Sequence, residues 1–307
     1  MVSADPVVEQ TPRVVVISTD SIRAELLPDL GARLHRLTVF GHDLLKTPTD
    51  LQQHLAEPFA WGGYVMAPWC NRIDPVPTVV GGSTVNVPTN APDGSALHGQ
   101  VYVVPWLERA PGVFEVRAGG DGTGWPWTYE TSLNVTAVDH GDRRAEVAFA
   151  QALTNLSEEP MPGGLGFHPW FRAPIEVSIA AACVLPSNLR ADDPIEAVSG
   201  MFDLRSLRPM PSGLDATWLD PGQPPVQMRW PDLGISATME VGSDAGLCIV
   251  AASPADSGAV AVEPETHAPQ GIRRLLAGQP YGLTWMDPGQ TIHLTTRLVF
   301  ERSASSA

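Results

Sequence analysis

Two short segments, far apart in the sequence, carry the side chains best suited to exchanging protons near neutral pH. Residues 166–171 read GFHPWF and contain His168, and residues 262–267 read VEPETH and contain Glu263. An imidazole and a carboxylate can act as general acid and general base. Each of the two precedes a proline, which restricts it to extended backbone. The sequence therefore predicts a rigidly held acid/base pair.

Other roles for the same residues remain open at this stage. His168 could be a structural histidine that hydrogen-bonds to backbone, and Glu263 could be a solvated strand end. Glu263 follows the apolar run 259–262, so it should end a strand that is buried on at least one side. A carboxylate there needs a partner. Glu265 and His267 lie so near in the sequence that residue type alone does not decide which of these side chains is the general base.

Further motifs extend over nearly the whole chain. Residues 67–73 read APWCNRI, residues 97–99 read LHG, residues 155–171 read NLSEEPMPGGLGFHPWF, and residues 214–218 read LDATW. In this order and at about this spacing they resemble the aldose 1-epimerases (mutarotases), with their APWxNRI, LHG, LDDxF and VEPxTxxP patterns. Any one of these motifs is weak evidence, whereas five in the family's order are hard to obtain by chance.

The resemblance implies an activity and assigns the acid and the base. Glu263, which matches the family's VEPxTxxP glutamate, would remove the proton of the C1 hydroxyl of an aldose. His168, as an imidazolium, would protonate the ring oxygen O5. The ring would open to the aldehyde and close again on the other face, which converts one anomer into the other.

The resemblance also implies which residues bind the sugar. The expected ligands of its hydroxyl groups are Asn71, Arg72, His98 and Asp215. The guanidinium of an arginine offers a fixed fork of donors that suits neighbouring hydroxyls. Ala216 departs from the family pattern, which has an acidic or polar residue there, so the identity of the sugar stays open.

Tryptophan gives a supporting signal, because apolar sugar faces pack well on indole rings. The chain has nine tryptophans, and Trp170 and Trp218 are expected to line the cleft. Tryptophan is nevertheless more often a core residue than a platform for sugars.

The charge of the chain and the motifs it lacks argue against several classes of partner and cofactor. A net charge of -15 and a pI near 4.8 oppose binding to nucleic acid or to an anionic membrane, and favour a neutral small molecule such as a sugar. No Gly-rich phosphate loop, CxxC pair or HExxH motif occurs. We therefore expect neither a cofactor nor a metal.

The sequence also predicts a soluble, cytoplasmic protein. The first twelve residues lack a signal-peptide pattern, and no apolar run approaches the roughly 20 residues of a membrane-spanning helix. The three cysteines, Cys70, Cys183 and Cys248, form neither a disulfide framework nor a metal pattern. They are expected to be core thiols in a reducing compartment.

Short extended segments punctuated by proline and glycine indicate an all-β chain. In residues 292–300, the apolar Ile292, Leu294, Leu298 and Phe300 share one face of a predicted strand. The predicted strands are 14–17, 37–45, 101–104, 113–116, 133–138, 145–152, 175–185, 226–230, 235–241, 247–251, 259–263 and 292–300. We predict one domain over residues 1–307, built as a large antiparallel sandwich. The resemblance narrows this to the twisted supersandwich of the galactose mutarotase-like fold.

Three rival functions remain at this stage. A hexose-6-phosphate 1-epimerase would need a basic cluster for the phosphate, of which Arg72 and Arg172 are the only sign. An epimerase-like enzyme could act on a modified sugar or a non-sugar substrate in a specialised pathway. A non-catalytic carbohydrate-binding protein would not need both His168 and Glu263. The oligomeric state is left open.

Overall fold

Antiparallel β-sheet forms most of the regular structure. The computed structural model describes residues 12–74, 76–120, 122–187 and 193–303. Within these ranges the α-helices are short, and none could cross a membrane. The α-helices are α1 (Gln53–Ala56) and α2 (Gly271–Leu276), and the 3₁₀ turns are Pro28–Leu30, Gly200–Phe202 and Pro231–Leu233. The prediction of an all-β chain is confirmed.

The strands are numbered β1 to β26 in chain order, and the first large sheet contains eleven of them. Its main path, in spatial order, is β1 (Val15–Ser18), β2 (Ile22–Leu27), β3 (Arg33–Val39), β5 (Gly63–Met66), β15 (Gly166–Arg172), β24 (Ala259–Glu265), β23 (Cys248–Ser253), β20 (Leu214–Leu219), β17 (Cys183–Leu185) and β18 (Glu196–Ala197). Strand β4 (His42–Asp43) pairs with β3. Strands β15 and β24 therefore lie in the middle of this sheet.

The second large sheet has nine strands and contains the longest ones. In spatial order they are β10 (Leu107–Ala110), β11 (Val113–Gly119), β12 (Thr128–Asp139), β13 (Arg144–Asn155), β26 (Thr291–Arg302), β22 (Ile235–Ser243), β21 (Val226–Trp230), β16 (Glu176–Ile179) and β19 (Arg208–Pro209).

Three small two-stranded sheets complete the described structure. They are β14 (Met161–Gly163) with β25 (Thr284–Met286), β6 (Arg72–Ile73) with β9 (Ala96–Leu97), and β7 (Thr78–Val80) with β8 (Ser83–Val85). The β6–β9 pair joins the APWCNRI and LHG motifs, which makes two segments predicted to bind sugar into one unit.

A shared hydrophobic core holds the two large sheets together as a sandwich. Strand β13 alternates buried residues with partly buried or exposed ones along its whole length, as expected for a sheet with one face on the core. Phe149 of β13 stacks on Phe167 of β15 with ring centroids 4.7 Å apart, and both belong to one core cluster with residues from each sheet. The predicted antiparallel sandwich is confirmed.

Individual strand predictions have mixed outcomes. Residues 226–230 coincide with β21, and Ile292, Leu294, Leu298 and Phe300 of β26 are all buried. Residues 101–104 form no strand. The single strand predicted over 175–185 is two strands, β16 and β17, which belong to different sheets. The long apolar run concealed that crossing, because both strands bury side chains in the same core.

Candidate active site

The acid/base pair lies on the face of the first sheet that is turned away from the sandwich core. On β15, Phe167 and Phe171 belong to the core, so His168 between them projects to the opposite face. The β15–β24 register pairs Gly166 with Glu265 and Trp170 with Ala261. Between these two pairs, His168 and Glu263 meet side by side.

His168 and Glu263 are in direct contact. His168 Nε2 lies 3.2 Å from Glu263 Oε1, and the side chains are only 6% and 2% exposed. The ring of Tyr64, on β5, stacks on the His168 imidazole with a centroid separation of 4.6 Å. The guanidinium of the buried Arg33 lies 4.7 Å from the Tyr64 ring and donates to three backbone carbonyls. This stack limits the orientations that the imidazole can take.

Burial sets the protonation state of the His168 imidazole. Desolvation lowers the pKa of His168 to about 3, so the ring is neutral at pH 7. Its 3.2 Å contact with Glu263 is therefore a hydrogen bond between a neutral ring and a carboxyl group. The imidazolium expected from the sequence is not the resting state, because the sequence does not reveal how dry this position is.

Glu263 has a second carboxyl group beside it. Glu265 lies two positions further along β24, on the same face, and its side chain is fully buried. Burial raises the pKa of both carboxyl groups well above the usual range, and their proximity couples the two titrations. A charge on one of the two groups therefore opposes ionisation of the other.

The APWCNRI and LHG segments pack against each other at Gly99, where a side chain would collide with the backbone. Gly99 has a φ of +77°, and a Cβ atom there would lie 2.0 Å from the carbonyl oxygen of Ala67. Next to it, His98 N donates to Asn71 O at 3.0 Å, while Asn71 N donates to His98 Nδ1 at 3.2 Å. Both residues have positive φ, which is uncommon for histidine. This reciprocal pair fixes the His98 ring.

The hydrogen bond from Asn71 also fixes which atom His98 presents. Because Nδ1 accepts a hydrogen bond and so carries no proton, Nε2 of the neutral ring must carry one. Burial, reinforced by His168 and Arg72, lowers the pKa of His98 well below its usual value, so the ring stays neutral. His98 therefore offers an N–H donor.

The same hydrogen bond bears on metal binding. Candidate ligand atoms of His98, His168 and Glu263 lie within 4.8 Å of one another. A metal on His98 Nε2 would require that atom to lose its proton while Nδ1 accepts from Asn71. The cluster is thus arranged for hydrogen bonding to a polar ligand rather than for coordination of an ion.

Arg72 carries positive charge to the edge of the site. Its Nε donates to Asp93 at 2.8 Å and its guanidinium to Asn71 Oδ1 at 3.3 Å, and its side chain is 20% exposed. Hydrogen bonds from Ser95 and then from Arg72 lower the pKa of Asp93 to about 2. Arg72 is therefore held in place by a carboxylate on one side and an amide on the other.

Comparison with known proteins assigns this arrangement to a family. A sequence model of the aldose 1-epimerase family matches residues 13–298. The chain belongs to that family. A search of curated protein sequences found no match.

Solved structures share the fold at low sequence identity. The GalM/aldose epimerase homologue of C. elegans is 17% identical, with a TM-score of 0.76 over 95% of this chain and all (100%) of its own. A galactose mutarotase-like protein of Clostridium acetobutylicum is 16% identical, with a TM-score of 0.75 over 95% and 96% of the two chains. The galactose 1-epimerase of Lactobacillus acidophilus is 12% identical, with a TM-score of 0.72 over 99% and 98%. At these identities the likeness shows a shared galactose mutarotase-like fold.

Two residues expected in the epimerase cleft lie on opposite faces of strand β20. Asp215 is exposed and close enough to Glu263 to raise the pKa of that carboxyl group, after burial and Glu265. It lies within this strand rather than in a turn. Trp218, in contrast, is fully buried in the core and donates to the carbonyl of Phe202. The prediction that Trp218 lines the cleft is wrong, because it occupies the core-facing register of β20.

Trp170 lies beside His168. It lies two positions after His168 on the same face of β15, and the two rings are 5.1 Å apart. Its Nε1 donates to the carbonyl of Phe59 at 2.6 Å, which ties the strand to the loop before β5. The ring of Phe59 in turn contacts His98 at 5.5 Å. Phe59 and Trp170 together form an aromatic wall of the site.

His267 has a structural position. Its Nδ1 donates to the carbonyl of Ala268 at 2.8 Å, and its Nε2 accepts from Cys70 N at 2.9 Å. With both nitrogens engaged by backbone, the ring has no free atom for a substrate. Burial lowers the pKa of His267 to about 4, so it is neutral at pH 7.

Sequence reasoning missed several residues that shape the site, of which Tyr64 is the clearest. All four residues of strand β5 are buried, so it shows no alternation by which to recognise a strand. The partner of Arg72, Asp93, lies in an irregular loop with no motif of its own. The prediction that the cysteines are core residues is confirmed for Cys70 and Cys248, which are buried. It is wrong for Cys183, which is exposed on β17.

Proposed function

We propose that this chain is an aldose 1-epimerase that interconverts the α and β anomers of a neutral sugar. The observation that carries the proposal is the buried contact between His168 Nε2 and Glu263 Oε1. Around it lie further hydrogen-bonding groups at His98, Arg72 and Asp215. An acid and a base in one small cleft are what anomer exchange requires.

The proton exchange can begin within the pair. Because burial favours the neutral imidazole, the active form arises when Glu263 passes its proton to His168 across the 3.2 Å contact. That transfer makes a carboxylate and an imidazolium together, with no net change of charge in the cleft. Glu263 then takes the C1 hydroxyl proton, and His168 gives its proton to O5 as the C1–O5 bond breaks. Rotation about C1–C2 and the reverse proton transfers close the ring as the other anomer.

Other residues would hold the sugar. His98 Nε2–H and the Arg72 guanidinium are donors, and the Asp215 carboxylate is an acceptor, which together suit vicinal hydroxyl groups. The indole of Trp170, on the same face as His168, offers an apolar surface for a sugar ring.

The charge around the cleft favours a neutral substrate over a sugar phosphate. Arg72, whose charge acts on both carboxyl groups, is already bound by Asp93 at 2.8 Å, and the buried Arg33 donates to three backbone carbonyls. Asp215 adds negative charge on the other side. A phosphate would have to approach the carboxylates of Asp93 and Asp215, while Arg72 is already paired and Arg33 is buried with its donors on backbone carbonyls.

The proposal is tested by anomer exchange, followed by polarimetry or by NMR on a panel of neutral aldoses. Glu263→Gln and His168→Asn should each slow exchange by roughly 100 to 10,000-fold, because each removes one partner of the proton transfer. Glu196→Gln, on the exposed edge strand β18, is the control and should keep full activity.

Two outcomes would favour the alternatives. Binding of a sugar without accelerated exchange in the wild-type protein would indicate a carbohydrate-binding protein. Activity only on a phosphorylated or otherwise modified sugar would indicate a specialised epimerase.

A chelator should leave the rate unchanged, because the proton on His98 Nε2 keeps that atom from coordinating a metal.

A further inference from the structure

Glu265 is a second buried carboxyl group for which the proposed proton exchange has no use. Its side chain has no measurable exposure, and it lies on the same face of β24 as Glu263. Its neighbours are apolar or weakly polar: Gly166 is its partner on β15 and Cys248 its partner on β23. A buried acid that neither reaches solvent nor pairs with a cation is costly unless it is neutral and hydrogen-bonded.

The contact between the two carboxyl groups requires a proton on at least one of them. No N–H or hydroxyl group of the described residues donates to Glu263 Oε2 or to either oxygen of Glu265. The two side chains are nevertheless close enough to hydrogen-bond to each other. Two carboxylates cannot do so, since both are acceptors and their charges repel. At least one of the two groups must therefore carry a proton, and this still holds after Glu263 has passed its own proton to His168.

The surroundings of the two groups decide where that proton is held. Glu263 Oε1 lies 3.2 Å from His168 Nε2, which stabilises negative charge on Glu263. Glu265 has no comparable partner and is the more deeply buried of the two. Ionisation is therefore less costly at Glu263, and the proton belongs on Glu265.

We propose that Glu265 is a positioning residue that stays protonated and donates a hydrogen bond to Glu263, so that Glu263 can ionise and remain turned toward His168. This inference rests on the proposed role of Glu263 as the base. A charge-assisted O–H···O⁻ bond in a dry site is among the stronger hydrogen bonds in proteins.

Other ionisable groups face the carboxyl pair from every neighbouring strand and must stay constant in any test. Arg72 favours ionisation of both carboxyl groups, and Asp215 opposes it. Those facing the pair are His168 on β15, Tyr64 on β5, Asp215 on β20, Cys248 on β23, His98 in the LHG segment, and Cys70 and Arg72 in the APWCNRI segment. Substitutions at Glu265 alone leave all of them in place.

Two variants of similar volume separate hydrogen bonding from packing. Glu265→Gln keeps an N–H donor toward Glu263, and Glu265→Leu fills the space but cannot donate. We expect the glutamine variant to stay within a few-fold of wild-type kcat. The leucine variant should lose about 10 to 100-fold, and the acid limb of its pH profile should move up by about one to two pH units. If Glu265 only packed, leucine would serve as well as glutamine and the acid limb would not move.

A measurement without sugar keeps this inference distinct from the proposed function. The ¹³C carboxyl resonance of Glu263 can be titrated in the wild type and in both variants, with thermal melting to confirm that each is folded. We expect the pKa of Glu263 to be higher in Glu265→Leu than in Glu265→Gln. Equal values in the two variants would overturn the inference. The expected order in a protein that exchanges no anomers would support the inference and refute the proposed function.

Discussion

The two histidines His98 and His267 show how hydrogen-bond partners decide what a buried imidazole can do. Burial lowers the pKa of both, so both are neutral at pH 7. Backbone groups occupy both nitrogens of His267 but only Nδ1 of His98. Only His98 keeps an N–H for a ligand, although each lies in a motif shared with the epimerases.

Arg72 gives a prediction about substrate binding. Arg72→Ala should lower kcat/KM on the best sugar, because it removes charged donors to hydroxyl groups. The expected loss of transition-state stabilisation is roughly 2 to 4 kcal/mol. Steady-state kinetics by polarimetry measures the effect. Arg205→Ala is the matched control, since Arg205 is an exposed arginine that also binds a single aspartate, Asp203. Unchanged kcat/KM in Arg72→Ala would remove this residue from the site.

The strands and loops of the site act as rigid units that hold side chains by backbone contacts. Strands β15 and β24 are central in their sheet, with pairing partners on both sides. The APWCNRI segment is held by the β6–β9 pair, by the isolated bridge between Ala67 and Gly99, and by the hydrogen bond from Cys70 N to His267. These contacts therefore hold Asn71, Arg72 and His98 in one structural unit.

Gly99 provides a test of that loop unit. Gly99→Ala should destabilise the fold by roughly 2 kcal/mol or more, since it combines a positive φ with a collision against the Ala67 carbonyl. It should also raise KM, because the shift of the loop would break the hydrogen bonds that hold His98 and Asn71 in place. Gly94→Ala is the control, with a φ of +84° but no atom within 4 Å of the added Cβ. It should cost only about 1 to 2 kcal/mol and leave KM unchanged.

The complete sandwich joins parts of the chain that are distant in sequence, and the site depends on those contacts. The bond from Cys70 N to His267 Nε2 spans 197 positions. Because the folded state keeps His267 neutral down to about pH 4, this contact also links folding to pH.

The pH dependence of stability follows from the direction of that pKa shift. Between pH 6.5 and about pH 4 the unfolded chain binds a proton at His267 and the folded chain does not. This contribution to stability is thus present above pH 6.5 and is lost as the pH falls toward 4. The stability advantage of the wild type over His267→Gln should shrink by on the order of 2 kcal/mol between pH 7.5 and 4.5.

Urea unfolding of the two proteins at both pH values measures this difference. His140→Gln, which alters an exposed histidine bound to Glu146, is the control and should show a far smaller change. A constant gap between wild type and His267→Gln would contradict a neutral, buried His267.

Much of the fold and the site could be predicted from the sequence, because their signals are local. The alternation in residues 292–300 gives the core face of β26 directly, since side chains alternate along any strand. Short motifs with proline, histidine and glutamate identify His168 and Glu263, because their chemistry and backbone restriction belong to the residues themselves.

Other features depend on what the folded chain brings against each residue. Trp170 and Trp218 look alike in sequence, yet one faces the cleft and the other the core, and the packing of the two sheets makes that choice. The neutral state of His168 and the raised pKa values of Glu263 and Glu265 arise from burial beneath distant segments. Desolvation depends on every neighbouring atom, so no local pattern in the sequence could specify it.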